Sequence, residues 1–538
     1  MITPLKELVD KYCFKGYIVY YTKIIDYKSS YKLLKPLLLR TLTSMTLLLS
    51  TVIAAAANVT QPPQNAWRFG DDDKTINTQP EPSLKTSVFA QNPWLFDISN
   101  QYEDTGASEE LAASKTIRQF SQNPWEYNVS YKYANHSDEI SDSLSNLWEE
   151  GTVVVRLQSL FRNTNSVGSN AKQGYAYASD IFAQTGNFYG LSVGVSWMLT
   201  NPFFANDLNP GKPNIFIPTN KVNVLSQAFL QYTLPHKLQV SAGRISIDTP
   251  WINTTTNSPV TNVTFQGGLA DIEINDSLYL TGLYVNAYKG VAQNKFTKNS
   301  MYQLSNSDDI HPAPGIAKLD MTFGVGLNYS PTDTLRTQLW AYTFNNYVSM
   351  VYAEGKKEFN IDDNQTFFFD LQGSIQSDIL IGGESISSKL GLGAPKSKML
   401  GAKITYRYNN IDIGISSNIL FAEGNSFNKG GMISPYTYDI ANDPLFTTSF
   451  RAGMVEKGGG SAFKVFSVAS VLNDKLILKP SLAVYSANDG IRSSELNMIA
   501  GYKFKDPNVQ LDLVYAMSAA SNLNGYNNML QLRSAYTF

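Results

Sequence analysis

The stretch MLGAKITYRYNNIDIGISSNIL, residues 399–420, decides the fold. Leu400, Ala402, Ile404, Tyr406 and Tyr408 alternate with Gly401, Lys403, Thr405 and Arg407. Side chains two apart share one face of a strand, so one face is apolar and the other polar or charged. After Asn409-Asn410 the alternation resumes in the same phase through Ile411, Ile413, Ile415 and Ile419. Two Asn between alternating strands predict a two-residue type I′ hairpin, because Asn tolerates positive φ. The register then places Arg407 opposite Asp412 on the polar face.

The unit recurs along the chain. AFKVFSVASVLNDKLILKPSLAVYS (462–486) is read as turning at Asn473-Asp474, and ELNMIAGYKFKDPNVQLDLVYAM (495–517) at Asp506-Pro507. LDMTFGVGLNYSPTDTLRTQLWAY (319–342) is read as turning over Pro331 to Asp333, and the segments at 187–199 and 229–243 supply further strands. The final stretch, MLQLRSAYTF, puts Leu530, Leu532, Tyr536 and Phe538 on one face, with Ser534 the one polar residue among them.

A water-soluble sheet with one buried face shows the same alternation. Three features favour a closed transmembrane barrel, with lipid outside and water inside. Short turns alternate with long polar connections such as 291–316 and 421–447. Tyr406, Tyr408, Tyr502, Phe504, Tyr536 and Phe538 fall near strand ends, as aromatic girdles do. Beyond residue 57 no run of about 20 apolar residues is available for a membrane helix.

The N-terminus fits export. Lys32, Lys35 and Arg40 precede an uncharged apolar run from Thr41 to Ala57 that ends in small residues, the layout of a signal peptide. An uncleaved anchor is the alternative, and the thirty or so residues before the basic segment are long for a signal. Removing 1–57 takes eight basic and three acidic residues, so the balance of 43 basic to 45 acidic residues becomes 35 to 42. An acidic chain is a poor fit to nucleic acid. Cys13, the only cysteine, leaves as well, which excludes thiol chemistry and disulfides in the exported chain. Residues 58–119 are polar and loosely ordered by composition. They hold FAQNPWLFDISNQYED (89–104), repeated as FSQNPWEYNVSYKYAN (120–135), and the second copy reads as the first barrel strand. The barrel is therefore expected over 120–538.

Placing the apolar face in lipid turns Lys403, Arg407, Lys464, Lys479, Lys503 and Arg533 inward, together with Asp412, Glu495 and Asp512. A wall biased to one sign of charge concentrates counter-ions, which points to passage of small anionic or zwitterionic solutes. The plainer alternative is a general diffusion pore, since any water-filled lumen is polar.

QAFLQYTLPHKLQVSAGRISIDTPWIN (227–253), TFQGG (264–268) and SPYTYDIANDPLFTTSFRAGMVEKGGGSAFKVFS (434–467) resemble the OprD-type substrate-specific outer-membrane porins. The resemblance covers about residues 120–538. It implies a barrel of about eighteen strands with in-folded loops and a basic ladder on its wall, taking up amino acids or organic acids by diffusion. It implies no cofactor and no catalysis. It marks Arg244, Asp248, Pro250 and Trp251 as a family-motif loop. It implies residence in the bacterial outer membrane, contact with its lipid, and insertion by the barrel assembly machinery through the strand ending in Phe538. A homo-oligomer is compatible with it. Asn257-Ser258-Pro259 departs from the Asp-Ser-Arg run often found there. Arg244 falls in the outward phase of Leu238, Val240 and Ala242 unless Gly243 forms a bulge.

Two other functions compete. A rim-located hydrolase needs His with a carboxylate, and only His136, His236 and His311 are present, of which His311 follows two aspartates. A barrel adhesin would use the long loops and is compatible with a pore.

Overall fold

Each alternating stretch leaves its backbone groups unpaired along both edges, and only closure pairs them all in lipid. The computed structural model describes residues 143–537, apart from 207–216, 255–259, 303–317, 379–383, 438–442, 505–508 and scattered single and paired positions. The signal segment, the 89–104 and 120–135 repeat, the three histidines, Asn257-Ser258-Pro259 and Phe538 lie outside the described residues.

The strands are β1 (Thr152–Asn165), β2 (Lys172–Gln184), β3 (Leu191–Asn206), β4 (Val222–Leu234), β5 (Leu238–Ile245), β6 (Asp248–Thr249), β7 (Ile252–Asn253), β8 (Thr264–Asn275), β9 (Leu278–Lys289) and β10 (Thr322–Thr332). They continue as β11 (Leu335–Phe344), β12 (Val348–Asp362), β13 (Gln365–Ser377), β14 (Lys398–Tyr408), β15 (Ile411–Leu420), β16 (Gly460–Val471), β17 (Leu476–Ala487), β18 (Arg492–Lys503), β19 (Val509–Ala520) and β20 (Tyr526–Thr537). All but β6 and β7 form one 18-stranded sheet. β5 pairs with β8 across the insertion of β6 and β7, and β20 pairs antiparallel with β1 to close the barrel. Both edges of β1, the first strand among the described residues, are thus taken, by β2 and β20.

The barrel is inside out relative to a soluble protein. Ile413 is 55% exposed and Leu400 42%, whereas inward-facing Thr405 and Asn418 are 1% and 0% exposed. An apolar outer face this extensive is stable only against hydrocarbon. Connections longer than six residues, at 207–221, 246–263, 290–321, 378–397 and 421–459, all lie at one end. The other end carries tight turns, the start of β1 and the end of β20. Aromatic side chains gather near the tight-turn end: Phe367 packs on Tyr406 at 4.8 Å, Phe359 on Phe369 at 5.4 Å, and Tyr502 on Phe504 at 4.7 Å.

Three local readings change. Asn409 alone of the Asn409-Asn410 pair is left-handed (φ 51°), where a type I′ turn needs both. Its amide is engaged instead by the Asn364 carbonyl of the neighbouring turn. The β10–β11 turn falls at Asp333-Thr334, one residue later than read. Pro331 sits in a register shift between Tyr329 and Thr332, where its missing N–H costs no ladder bond. Gly243, at φ 128°, does not offset the ladder: β5 keeps unbroken register with β4 and β8. The offset is in β4, where Ser226 is passed over between the Ser196–Gln227 and Trp197–Leu225 pairs.

Ser534, the polar intrusion on the last strand, stands opposite Ser159 of β1, and their hydroxyls are 2.8 Å apart. One hydroxyl donates to the other across the closing seam, which lowers the cost of holding two polar groups toward lipid.

Candidate functional site

The connection 421–459 has no alternation. Pro435, Pro444 and a run of Thr and Ser interrupt any strand, leaving its backbone to find partners elsewhere. It finds them on the inner wall. Gln376 of β13 bonds Ile433 reciprocally, its amide nitrogen to the carbonyl and its oxygen from the N–H, both at 2.8 Å. Ser434 N donates to the Tyr302 hydroxyl at 2.7 Å. Further along, Ser416 donates to the Phe446 carbonyl at 2.9 Å, and Asn418 Oδ1 accepts from both Thr447 N and Thr447 Oγ1 at 2.9 Å. Lys464 Nζ donates to the Thr448 carbonyl at 2.9 Å, and Glu495 Oε1 accepts from Arg451 N at 2.9 Å. The Tyr485 hydroxyl lies 2.8 Å from the Thr447 carbonyl. Residues 443–455 therefore lie across the lumen face of β15 to β18 and narrow the interior.

Gly401 makes room for this docking. A Cβ there would come within 2.3 Å of Asn418 Nδ2 and 2.7 Å of Gln372 Cγ. Gln372, in the amide orientation that satisfies its neighbours, donates to the Pro444 carbonyl at 3.0 Å and accepts from Phe446 N at 2.8 Å.

A second inward segment starts at β6. Asp248 and Thr249 pair with Asn253 and Ile252 around Pro250-Trp251, and Thr249 Oγ1 donates to the Ile252 carbonyl at 2.9 Å. Trp251 is fully buried and meets Tyr352 of β12 edge-on at 6.1 Å. Asp248 is buried with it. Arg244 pairs across from Ala228 and Gln266; its guanidinium donates to the Leu225 carbonyl at 3.1 Å and lies 4.6 Å above the Phe296 ring.

All nine charged positions read as inward lie on the inner phase of their strands, but few meet solvent. Lys464 and Glu495 are 0% exposed and Lys479 is 3%, because 443–455 or neighbouring wall side chains cover them. The charge-biased wall read from alternation is therefore covered in part. Arg407 forks onto Asp412 with bonds of 2.8 and 3.0 Å, as the hairpin register implies, and Arg533 bonds Asp512 at 2.7 Å. Lys403 is 3.5 Å from Asp370 and 4.7 Å from the Phe446 ring. Lys403 and Arg407 keep 13% and 18% side-chain exposure, and Lys503 is also partly exposed.

Sequence reading missed several lumen charges. Register runs Arg336, Lys356, Asp370, Lys403, Ser416, Lys464, Ala483 and Glu495 in one row across β11 to β18. Arg336 and Lys356 are partly exposed, and Lys356 sits 4.6 Å above the Phe368 ring, against which Arg407 also lies at 4.8 Å. Arg156 and Arg162 of β1 are buried inward residues as well. Their signal was available: Tyr352, Glu354 and Lys356 alternate with Val351 and Ala353, and Arg156 alternates with Val155 and Leu157.

Within the in-folded segment, burial pushes the Asp443 carboxyl up from 3.8 to about 6, opposed by Thr448 Oγ1 donating at 2.6 Å, by Leu445 N and by the charge of Lys464. Tyr352 and Tyr485 also face it. An acid held protonated when docked stabilises docking at low pH, and that contribution is lost as pH rises through about 6. Channel flicker should therefore grow between pH 5 and 7, and Asp443→Asn should flatten the dependence. Equal pH dependence in wild type and variant would disprove the assignment.

No family model matches the sequence, and neither does any curated protein. Solved structures do. OccD3 (OpdP) of Pseudomonas aeruginosa is 13% identical, with 75% of this chain and 96% of that one covered at a TM-score of 0.57. The outer membrane protein OpdK of P. aeruginosa is 13% identical, covering 72% and 99% at 0.59. A BenF-like porin from Pseudomonas fluorescens Pf-5 is 12% identical, covering 73% and 99% at 0.59. At such identities the likeness establishes architecture, and the resemblance to OprD-type porins holds at that level: this chain has the porin fold, a closed antiparallel barrel of eighteen strands built to span a membrane.

Proposed function

We propose that the protein is an integral bacterial outer-membrane porin through which small hydrophilic solutes diffuse passively, with a preference for carboxylate-bearing nutrients such as amino acids or organic acids. The observation that carries the preference is the pairing of a narrowed lumen with partly exposed Arg336, Lys356, Lys403 and Arg407 on one stretch of wall. In a narrow low-dielectric passage such cations focus the field and raise the local anion concentration. Phe368 and Phe446, against which Lys356, Arg407 and Lys403 lie, fix these three without withdrawing their charge. Asp370 and Asp412 offset part of it, which fits solutes bearing both signs.

The test is reversal potential across a planar bilayer under a salt gradient, with Lys356→Glu plus Lys403→Glu beside wild type. Anion preference that falls or inverts in the double variant supports the reading. Unchanged selectivity leaves a general diffusion pore, and absence of conductance in wild type would return weight to an adhesin.

A further inference from the structure

The outer surface of β15 to β19, at the end bearing the long connections, changes chemistry over three successive rows. The first, Ile415, Val465, Leu482, Leu496 and Met517, is apolar. The second, Ser417, Phe463, Val484, Ser494 and Ala519, is mixed, and the third, after exposed Ile419 of β15, runs Ser461, Ser486 and Arg492, with Ser521 bonded to the Arg492 backbone at 2.7 Å. The second and third rows line an open groove of about 550 Å³. Ser494 and Ala519 form its floor, and Phe463 and Val484, 43% and 46% exposed, form a wall. Arg492 is exposed at its polar edge, and among the described residues its guanidinium makes no ion pair.

An arginine beside the hydroxyls of Ser461, Ser486, Ser494 and Ser521, directly above an apolar surface, matches an amphiphile rather than hydrocarbon alone. Its fork takes a phosphate bidentately, serine hydroxyls take sugar hydroxyls, and acyl chains run down the apolar row. Resting on the membrane-pore reading above, we propose that this groove binds a phosphorylated glycolipid of the leaflet facing the long connections, with its phosphate on Arg492 and its acyl chains along Phe463, Val484 and Leu482.

The test uses the full barrel, delipidated in neutral detergent and titrated with lipid A, dephosphorylated lipid A or phosphatidylglycerol, with retained lipid read by native mass spectrometry. Wild type should hold one lipid A in preference to the other two. Arg492→Gln should bind it about tenfold less, the loss expected of one charge-assisted contact. Ser494→Leu, which fills the floor, should lose it as well. Both side chains face away from the lumen, so conductance and heat-resistant gel mobility should match wild type. That separates failure here from failure of the porin reading. Equal retention by Arg492→Gln, equal retention of phosphatidylglycerol, or a groove occupied by a second copy of the chain would each overturn the proposal.

Discussion

Gly401→Val should release residues 443–455 from the wall and raise single-channel conductance several-fold. A Cβ at this position meets Asn418 Nδ2 at 2.3 Å and Gln372 Cγ at 2.7 Å, and the two extra methyls of Val crowd the same amides further. Those amides hold Thr447 N, Thr447 Oγ1, Phe446 N and the Pro444 carbonyl. At roughly 1 kcal/mol per bond, losing three of these four removes about 3 kcal/mol, which shifts the docked population about a hundredfold. Asn418→Ala tests the same contact without a clash and should give the same change at smaller size. Heat-resistant gel mobility of both variants establishes that the barrel has closed. Wild-type conductance in a folded Gly401→Val barrel would show that 443–455 does not set the passage.

Lys464→Glu should destabilise the protein instead of retuning its selectivity. The ammonium is fully buried, donates to the Thr448 carbonyl at 2.9 Å and lies within the fields of Lys403, Glu495 and Asp443. Reversing its sign leaves the carbonyl unmet and adds an acid among acids. Breaking a buried charged contact costs about 3–5 kcal/mol. The thermal transition in detergent should fall clearly, while Lys464→Met, which keeps the stem and removes the charge, should fall less. If Lys464 stood in open lumen water, the Glu variant would keep its stability and change its ion selectivity.

The barrel was legible because its signal is local. Period-two alternation, tight turns and aromatic strand ends depend on residues within one hairpin, so Arg407 could be set opposite Asp412 from sequence and is found there. β1 and β12 were passed over for the same reason in reverse. The period is present in both, but the valine run at 153–155 and the charged residues between Glu354 and Glu358 interrupt its contrast around Arg156 and Lys356, and Asp370 of β13 emerges only as the register partner of Lys403. Pro331 and Gly243 show that a proline or glycine signals an irregularity without saying where it falls: the alternative left open at Gly243 resolves as no bulge in β5, with an offset in β4 instead.

What alternation determined is which face of each strand looks inward. Whether an inward charge meets water was decided by contacts between residues far apart in the chain. Lys464 and Lys403 are equivalent by period, yet the carbonyl of Thr448 caps one while the other keeps part of its surface beside Asp370. The segment 421–459 carries no period, so its path follows only from where wall side chains such as Gln376, Asn418 and Glu495 can satisfy its backbone. Strand phase is a property of neighbours two residues apart; solvent access is a property of the closed barrel and what folds into it.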